Sequence, residues 1–180
     1  YNVPIACTPG RNGLQPAIGI SYNSSGGNGV LGFGWNIAGL SAISRTPQNI
    51  HYNGKVEPIQ MNTSDVFSLD GMRLLSRSGS TTEFETEQGD IRVKAVNSGS
   101  VVKYFEVSYP NGSTAQFGDT GNTTNRLYYP IRELVDILGN KIIFNYVFTD
   151  NQYYIDNIQY GSNSVNSTNF GKITFSYLTT

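Results

Sequence analysis

Short runs of alternating apolar and polar residues recur about every 8–12 positions along this chain, each closed by Gly, Asn or Asp, and that spacing constrains the fold most. A strand sends successive side chains to opposite faces, so Ile18, Ile20 and Tyr22 share one face and Gly19 and Ser21 the other. Val66-Phe67-Ser68-Leu69 and Met72-Arg73-Leu74-Leu75 flank Asp70-Gly71. Asp-Gly between two apolar strands predicts a hairpin, because both central residues of a type I′ turn need positive φ. Asn111-Gly112 sets the same device between Phe105-Glu106-Val107-Ser108-Tyr109 and Thr114-Ala115-Gln116-Phe117. Thr82 to Glu87 and Ile91 to Val96 flank Gln88-Gly89-Asp90 as a further hairpin, with charges alternating outward around Phe84, Ile91 and Val93. The last third reads as four strands, Leu127 to Ile137, Lys141 to Thr149, Tyr153 to Tyr160 and Lys172 to Leu178. No window of about eleven residues carries a 3.6-residue period. Arg132 to Leu138 is the one stretch a helix could claim, and Gly139-Asn140 turning directly into Lys141-Ile142-Ile143-Phe144 assigns it to strand. The expected fold is all-β, with antiparallel meandering sheets or a sandwich.

Composition agrees and removes several functions. Charged residues make up 14% of the 180, against about 25% in ordinary soluble domains, while 12 Tyr and 9 Phe accompany a single Trp. Aromatics fit a half-buried pleated surface better than a helix. A net charge of −1 gives no cationic excess to neutralise phosphates or to hold an anionic bilayer, so nucleic acid and direct membrane insertion are not expected. No apolar run approaches the roughly 20 residues of a membrane span, and no basic-then-apolar leader opens the chain. Tyr1 at the start and strand-like Phe175-Ser176-Tyr177-Leu178 at the end suggest a segment cut from a longer polypeptide. Cys7 alone excludes an internal disulfide, and it reads as a small filler or a terminal thiol.

The densest motif runs Gly19-Ile20-Ser21-Tyr22-Asn23-Ser24, then Gly26-Gly27-Asn28-Gly29, then Leu31-Gly32-Phe33-Gly34-Trp35, and closes on Leu40-Ser41-Ala42-Ile43-Ser44-Arg45. It resembles the opening signature of the SpvB and Tc-toxin B-component family. Asp65-Val66-Phe67-Ser68-Leu69-Asp70-Gly71 is similar to that family's D-x-F-x-L-x-G hairpin. Asp136-Ile137-Leu138-Gly139-Asn140 with Tyr146 is similar to the core of Rhs/YD repeats. Thr46-Pro47-Gln48-Asn49-Ile50 departs from the family's basic linker. The resemblance implies an SpvB-like β region over 1–110 followed by the first Rhs/YD-like repeats over 111–180, or one continuous domain. It further implies a non-catalytic part of a large secreted or surface β-shell that encloses or presents a C-terminal toxin, with the remainder of its own polypeptide as partner. The signature residues are Tyr22, Asn28, Gly29, Gly32, Gly34, Trp35, Arg45, Asp136, Gly139 and Asn140. Independently of the family, glycines at 26, 27, 29, 32 and 34 allow positive φ or close approach. Trp35 then offers a large surface for burial against the strand of Ile18, Ile20 and Tyr22, as a crossover between two sheets would require.

Catalytic chemistry finds little footing. With His51 the sole histidine, Ser-His-Asp triads have one copy to draw on and multi-histidine metal sites have none; beside Tyr52, His51 reads as an exposed strand end. A phosphate-cradling Gly loop needs a helix N-terminus after it, and Asn36-Ile37-Ala38-Gly39 supplies none. Glu83-Phe84-Glu85 after Ser80-Thr81-Thr82 has the residue order of an ADP-ribosyltransferase site without its spacing. On a strand those carboxylates share one face about 7 Å apart, opposite Lys94 or Arg92. Asp150-Asn151 and Asp156-Asn157 lack a calcium-loop pattern and read as turn residues. Thirteen acidic residues give no signal for a glycosidase pair. No cofactor is expected. The competing reading is a carbohydrate- or protein-binding β-sandwich, suggested by the tyrosines, low charge and Asn-rich loops.

Overall fold

The computed structural model describes residues 1–177, so Leu178 of the last expected strand lies outside the described residues. The chain forms two compact units: unit 1 combines residues 1–40 with 138–180, and unit 2 is the intervening 41–137.

Unit 1 opens with β1 (Asn2–Pro4), β2 (Gly19–Tyr22), the two-residue β3 (Asn28–Gly29) and β4 (Gly32–Phe33), and β5 (Trp35–Ala38). β2 lies between β1 and β5 in a three-stranded antiparallel sheet, and β3 pairs with β4 as a separate hairpin. The Gly-rich run was expected to carry the chain between two sheets. Instead it loops out and returns to the same sheet, because the register sets Tyr22 opposite Trp35 and Gly19 opposite Ala38.

Unit 2 is a meander that closes on itself. Its strands are β6 (Ala42–Thr46), β7 (Val66–Leu69), β8 (Met72–Ser76), β9 (Glu83–Thr86), β10 (Arg92–Ser98), β11 (Val101–Ser108), β12 (Thr114–Gly118) and β13 (Tyr128–Val135). Each pairs antiparallel with the next. The first half of β13 then pairs back onto β6, Tyr129 facing Ile43. The eight strands therefore leave no unpaired edge in this unit, and a barrel of that size is just filled by side chains. Period-2 alternation puts Ile43, Phe67, Leu69, Phe84, Val93, Phe105, Val107, Phe117, Tyr129 and Ile131 in the buried set. Phe67 meets Phe105 and Phe105 meets Tyr129 edge-on, with ring centroids 4.9 and 5.0 Å apart. Both ends of this unit's chain emerge at the rim that carries the β7–β8 and β11–β12 turns.

The turns show where local chemistry ruled. Asp70 and Gly71 both take positive φ, 50° and 83°, as a type I′ turn demands. Gly112 does so at 80° but Asn111 does not. There the turn is a longer one, closed by Gly112 N donating to Tyr109 O and Tyr109 N to Ser113 O, because Pro110 fixes a negative φ suited to a type I turn with glycine in the left-handed position after it. His51 sits on the one-turn helix α1 (Ile50–Asn53) and not on a strand end. Asn49, capping Tyr52 N, and Gly54, at φ 67°, make that turn.

The chain re-enters unit 1 as β14 (Lys141–Thr149), β15 (Gln152–Tyr160) and β16 (Gly171–Thr174), an antiparallel ladder in that order. Asp150 and Asn151, both at positive φ, turn β14 into β15. Asp156 and Asn157 lie inside β15, so strand geometry and not a turn holds them. Arg11 Nε donates to Gly161 O at 2.6 Å and Thr8 Oγ1 meets the Tyr160 hydroxyl at 2.7 Å, tying the N-terminal segment to this ladder. Among the described residues no helix is long and apolar enough to cross a membrane.

Candidate functional site

One end of the barrel is built around a buried charge. Arg45 shares the inward face of β6 with Ile43, since residues two apart on a strand point the same way. Its side chain is 0% exposed, and its partner Asp65, just before β7, is 3% exposed. Nη1 meets Asp65 Oδ2 at 2.6 Å and also donates to Asn62 O, Nε donates to Arg126 O at 2.8 Å, and Nη2 donates to Asn125 Oδ1 at 2.8 Å. The Tyr129 hydroxyl lies 3.4 Å from Nη2, and the guanidinium sits over the Phe67 ring 4.9 Å from its centre.

The partners are held as firmly as the arginine. Asp65 also accepts from Gln60 N at 2.7 Å and Asn62 N at 3.2 Å. Asn125 donates to Met61 O and Ser100 O and accepts from Val102 N, so one side chain joins three loops. The Tyr129 hydroxyl donates to Val102 O at 3.2 Å and accepts from Arg126 N at 3.1 Å. An arginine with this many carbonyl and carboxylate acceptors has its charge compensated and its planar donors used. The set closes the barrel end, and the Arg45, Asn125 and Tyr129 donors meet acceptors of the chain itself.

The opposite rim carries Asp70, which accepts from Ser41 Oγ at 2.5 Å and Ala42 N at 2.8 Å. Burial first, and then the Asp70 carboxylate, push the Tyr109 phenol up to about 12 and move Tyr128 in the same direction. On the outer wall, register sets Arg92 opposite Glu85 and Lys94 opposite Glu83. The ion pairs go instead to Arg77, 3.2 Å from Glu85 and 3.9 Å from Glu83. Two partly solvated carboxylates shared by one arginine make an ordinary surface cluster.

The signature residues divide between the units. In unit 1 the Tyr22 and Trp35 rings stack at a tilt 5.1 Å apart, and Trp35 is half-buried instead of deeply buried, because Tyr22 is itself 37% exposed. Gly34, at φ 76°, lies under the Tyr22 ring, where a Cβ would come within 2.7 Å of it. Gly29 passes so close to Trp35 O that a Cβ would stand 2.3 Å away. Asn28 and Gly32 belong to the β3–β4 pair. Gly139, at φ 77°, faces Ser164, and Asn140 is buried. Arg45 and Asp136 belong to unit 2, Asp136 directly after β13. Sequence reasoning singled out Arg45 but missed Asp65, Asn125 and Tyr129. Asp65 was visible as the first residue of the D-x-F-x-L-x-G hairpin; Asn125, one of many loop asparagines, carried no signal.

The family model "Salmonella virulence plasmid 65kDa B protein" matches residues 1–114. Mono(ADP-ribosyl)transferase SpvB of Salmonella typhimurium is 32% identical over 104 residues, 58% of this chain and 14% of that protein, and the Salmonella dublin protein of the same name matches equally. The chain thus spans about a seventh of the length of these relatives. Among solved structures, the N-terminal domain of effector protein SpvB from Salmonella typhimurium strain LT2 superposes with a TM-score of 0.74 at 19% identity, covering 98% of this chain and 72% of that one. The TcdB2-TccC3-Cdc42 crystal structure gives 0.72 at 19% identity over 94% of this chain and 10% of that one, and the Photorhabdus luminescens Tc holotoxin pore gives 0.69 at 18% over the same shares.

Proposed function

The chain belongs to the SpvB family, and from that premise we propose that it is a non-catalytic structural segment of a secreted or surface bacterial toxin-like protein, part of a β-shell that encloses or presents a C-terminal toxin. The observation that carries this reading is the Arg45 set, whose charge and donors are turned on the chain's own groups. Around it the barrel interior is filled by Phe67, Phe105, Phe117 and Tyr129, each at most 1% exposed. A segment of a wall needs rigidity and closed edges more than open chemistry. Two facts about the relatives support it. The chain aligns to a domain described as N-terminal in a protein named for ADP-ribosyl transfer, and it covers only 10% of the TcdB2-TccC3 chains. In this reading residues 1–110 are the SpvB-like region and 111–180 the first Rhs/YD-like repeats, and the partner is the remainder of the same polypeptide.

The test is protease protection of the C-terminal part of the longer polypeptide, with and without this segment. Loss of protection on deletion is expected; unchanged protection refutes the wall role. NAD turnover by this chain that disappears in Glu83→Gln or Glu85→Gln would refute the non-catalytic part. The alternative of a carbohydrate- or protein-binding module draws on Val30, Leu31 and Phe33, exposed around β3 and β4, and a glycan array that retains the chain would favour it.

A further inference from the structure

Unit 1 contains a cavity of about 990 Å³ that none of the signature chemistry explains. Val30 and Leu31, at the tip of the β3–β4 hairpin, form one wall; Val147 of β14 and Ile155 of β15 form another. Tyr154 and Tyr177 also line it, their rings edge-on 5.8 Å apart. Into this apolar lining project two carboxylates, Asp150 and Asp156.

Tyr154 and Asp156 are both partly exposed on β15 while Ile155 between them is 2% exposed, the alternation of a strand with one face turned to the cavity. Asn145 pairs with Asn157 but Tyr146 pairs with Ile155, so Asp156 is the extra residue of a β-bulge. Asp150 reaches the cavity from the β14–β15 turn, held at φ 49°. Among the described residues neither carboxylate has an ion pair with Lys or Arg. The negative field is felt locally: Tyr177 is raised by burial first, then by Asp156 and Tyr154.

We propose that this cavity binds a short peptide segment of another polypeptide that carries a lysine or arginine between aliphatic residues, the cation lying against Asp150 and Asp156 and the aliphatic side chains against Val30, Leu31 and Val147, which are 40–52% exposed. The charge argues for the cation: Asp156 Oδ2 accepts from the neutral Asn157 amide at 2.6 Å, and carboxylates without a cationic partner beside aromatic faces favour an ammonium or guanidinium. The size argues for a peptide over a simple amine. The volume stands at the top of the about 300–1,000 Å³ range of pockets that hold whole ligands, more than one cationic stem can fill.

The test is fluorescence anisotropy with the 180-residue chain and a labelled peptide in which leucines flank one lysine, compared with versions carrying leucine or glutamate in place of the lysine. Asp150→Asn keeps a residue that tolerates the left-handed turn, and Asp156→Asn keeps a side chain that fits the bulge, so the fold is retained and far-UV circular dichroism checks it. Binding of the lysine peptide is expected to weaken about tenfold in the double variant and to fall as salt rises from about 0.05 to 0.5 M. Leu31→Ser is expected to weaken it without changing the salt dependence. Equal binding of the lysine and leucine peptides, unchanged binding in the double Asn variant, or no binding of the lysine peptide to the parent chain would each overturn the proposal. Saturable binding of a small alkylammonium as tight as the peptide would overturn its peptide part.

Discussion

Removing either half of the Arg45–Asp65 pair should cost far more than a surface ion pair of the same length. Asp65→Ala would leave a guanidinium with 0% of its side chain exposed and no neutralising charge, and would also strip acceptors from Gln60 N and Asn62 N. Breaking one side of such a buried pair typically costs about 3–5 kcal/mol, against a total domain stability of about 5–15 kcal/mol. Arg45→Met would leave the carboxylate to its two backbone donors, and a loss of similar size is expected. Because each single variant strands a charge, the double variant Arg45→Met with Asp65→Leu should cost less than the sum of the singles, with a coupling of about 2 kcal/mol. The pair is shielded from solvent, so these losses should change little with salt. Trp35 lies in unit 1, outside the barrel strands. Unfolding in urea should instead be followed by amide exchange across β10 and β11. Single-variant losses below about 1 kcal/mol, adding up without coupling, would refute the reading of Arg45 as the closure of the barrel end.

Three further outcomes are expected. Gly34→Ala, forced to φ 76° with its Cβ 2.7 Å from Tyr22 and Asn23 atoms, should destabilise unit 1 by about 1–3 kcal/mol, read from the urea midpoint of Trp35 fluorescence; an unchanged midpoint would deny the close approach. Trp35→Ala should cost about 2 kcal/mol, below the about 3–5 of a fully buried aromatic, and the native indole should be partly quenched by iodide, so complete shielding or full quenching would contradict its half-buried place beside Tyr22. Tyr109, raised from 10.0 to about 12, holds its proton in the folded state over a range where the unfolded phenol has lost it. Its stabilisation is therefore present below pH 10 and lost as pH rises towards 12. The full shift corresponds to about 2.7 kcal/mol, and partial solvent contact reduces that to about 1–2. Tyr109→Phe should therefore flatten the alkaline loss, and an identical pH profile would remove the cause assigned to it.

The strands and most turns were legible because they are local. Period-2 alternation names the buried side of a strand without knowledge of its neighbours, and Asp70-Gly71 carries in its own residues the preference for the type I′ turn it forms. Local reading failed where a neighbour intervened: Pro110 changed the turn that Asn111-Gly112 alone suggested, and Asn49 with Gly54 gave His51 a helical turn in a chain with no helical period. The E-x-E on β9 was correctly read as facing Arg92 and Lys94, yet Arg77, from the loop beyond β8, took the ion pairs. Closure of the barrel was beyond any local signal, because it is a pairing of β13 with β6 across more than eighty intervening residues, and no strand announces its distant partner. The same holds for the buried set around Arg45. Sequence alone marked Arg45 as a signature residue and Asp65 as the head of a hairpin, but only closing the barrel brings Asp65, Asn125 and Tyr129 around one guanidinium. The chain's local chemistry determined what each segment could be; tertiary structure decided which charges were removed from water together, and so which of them the fold depends on.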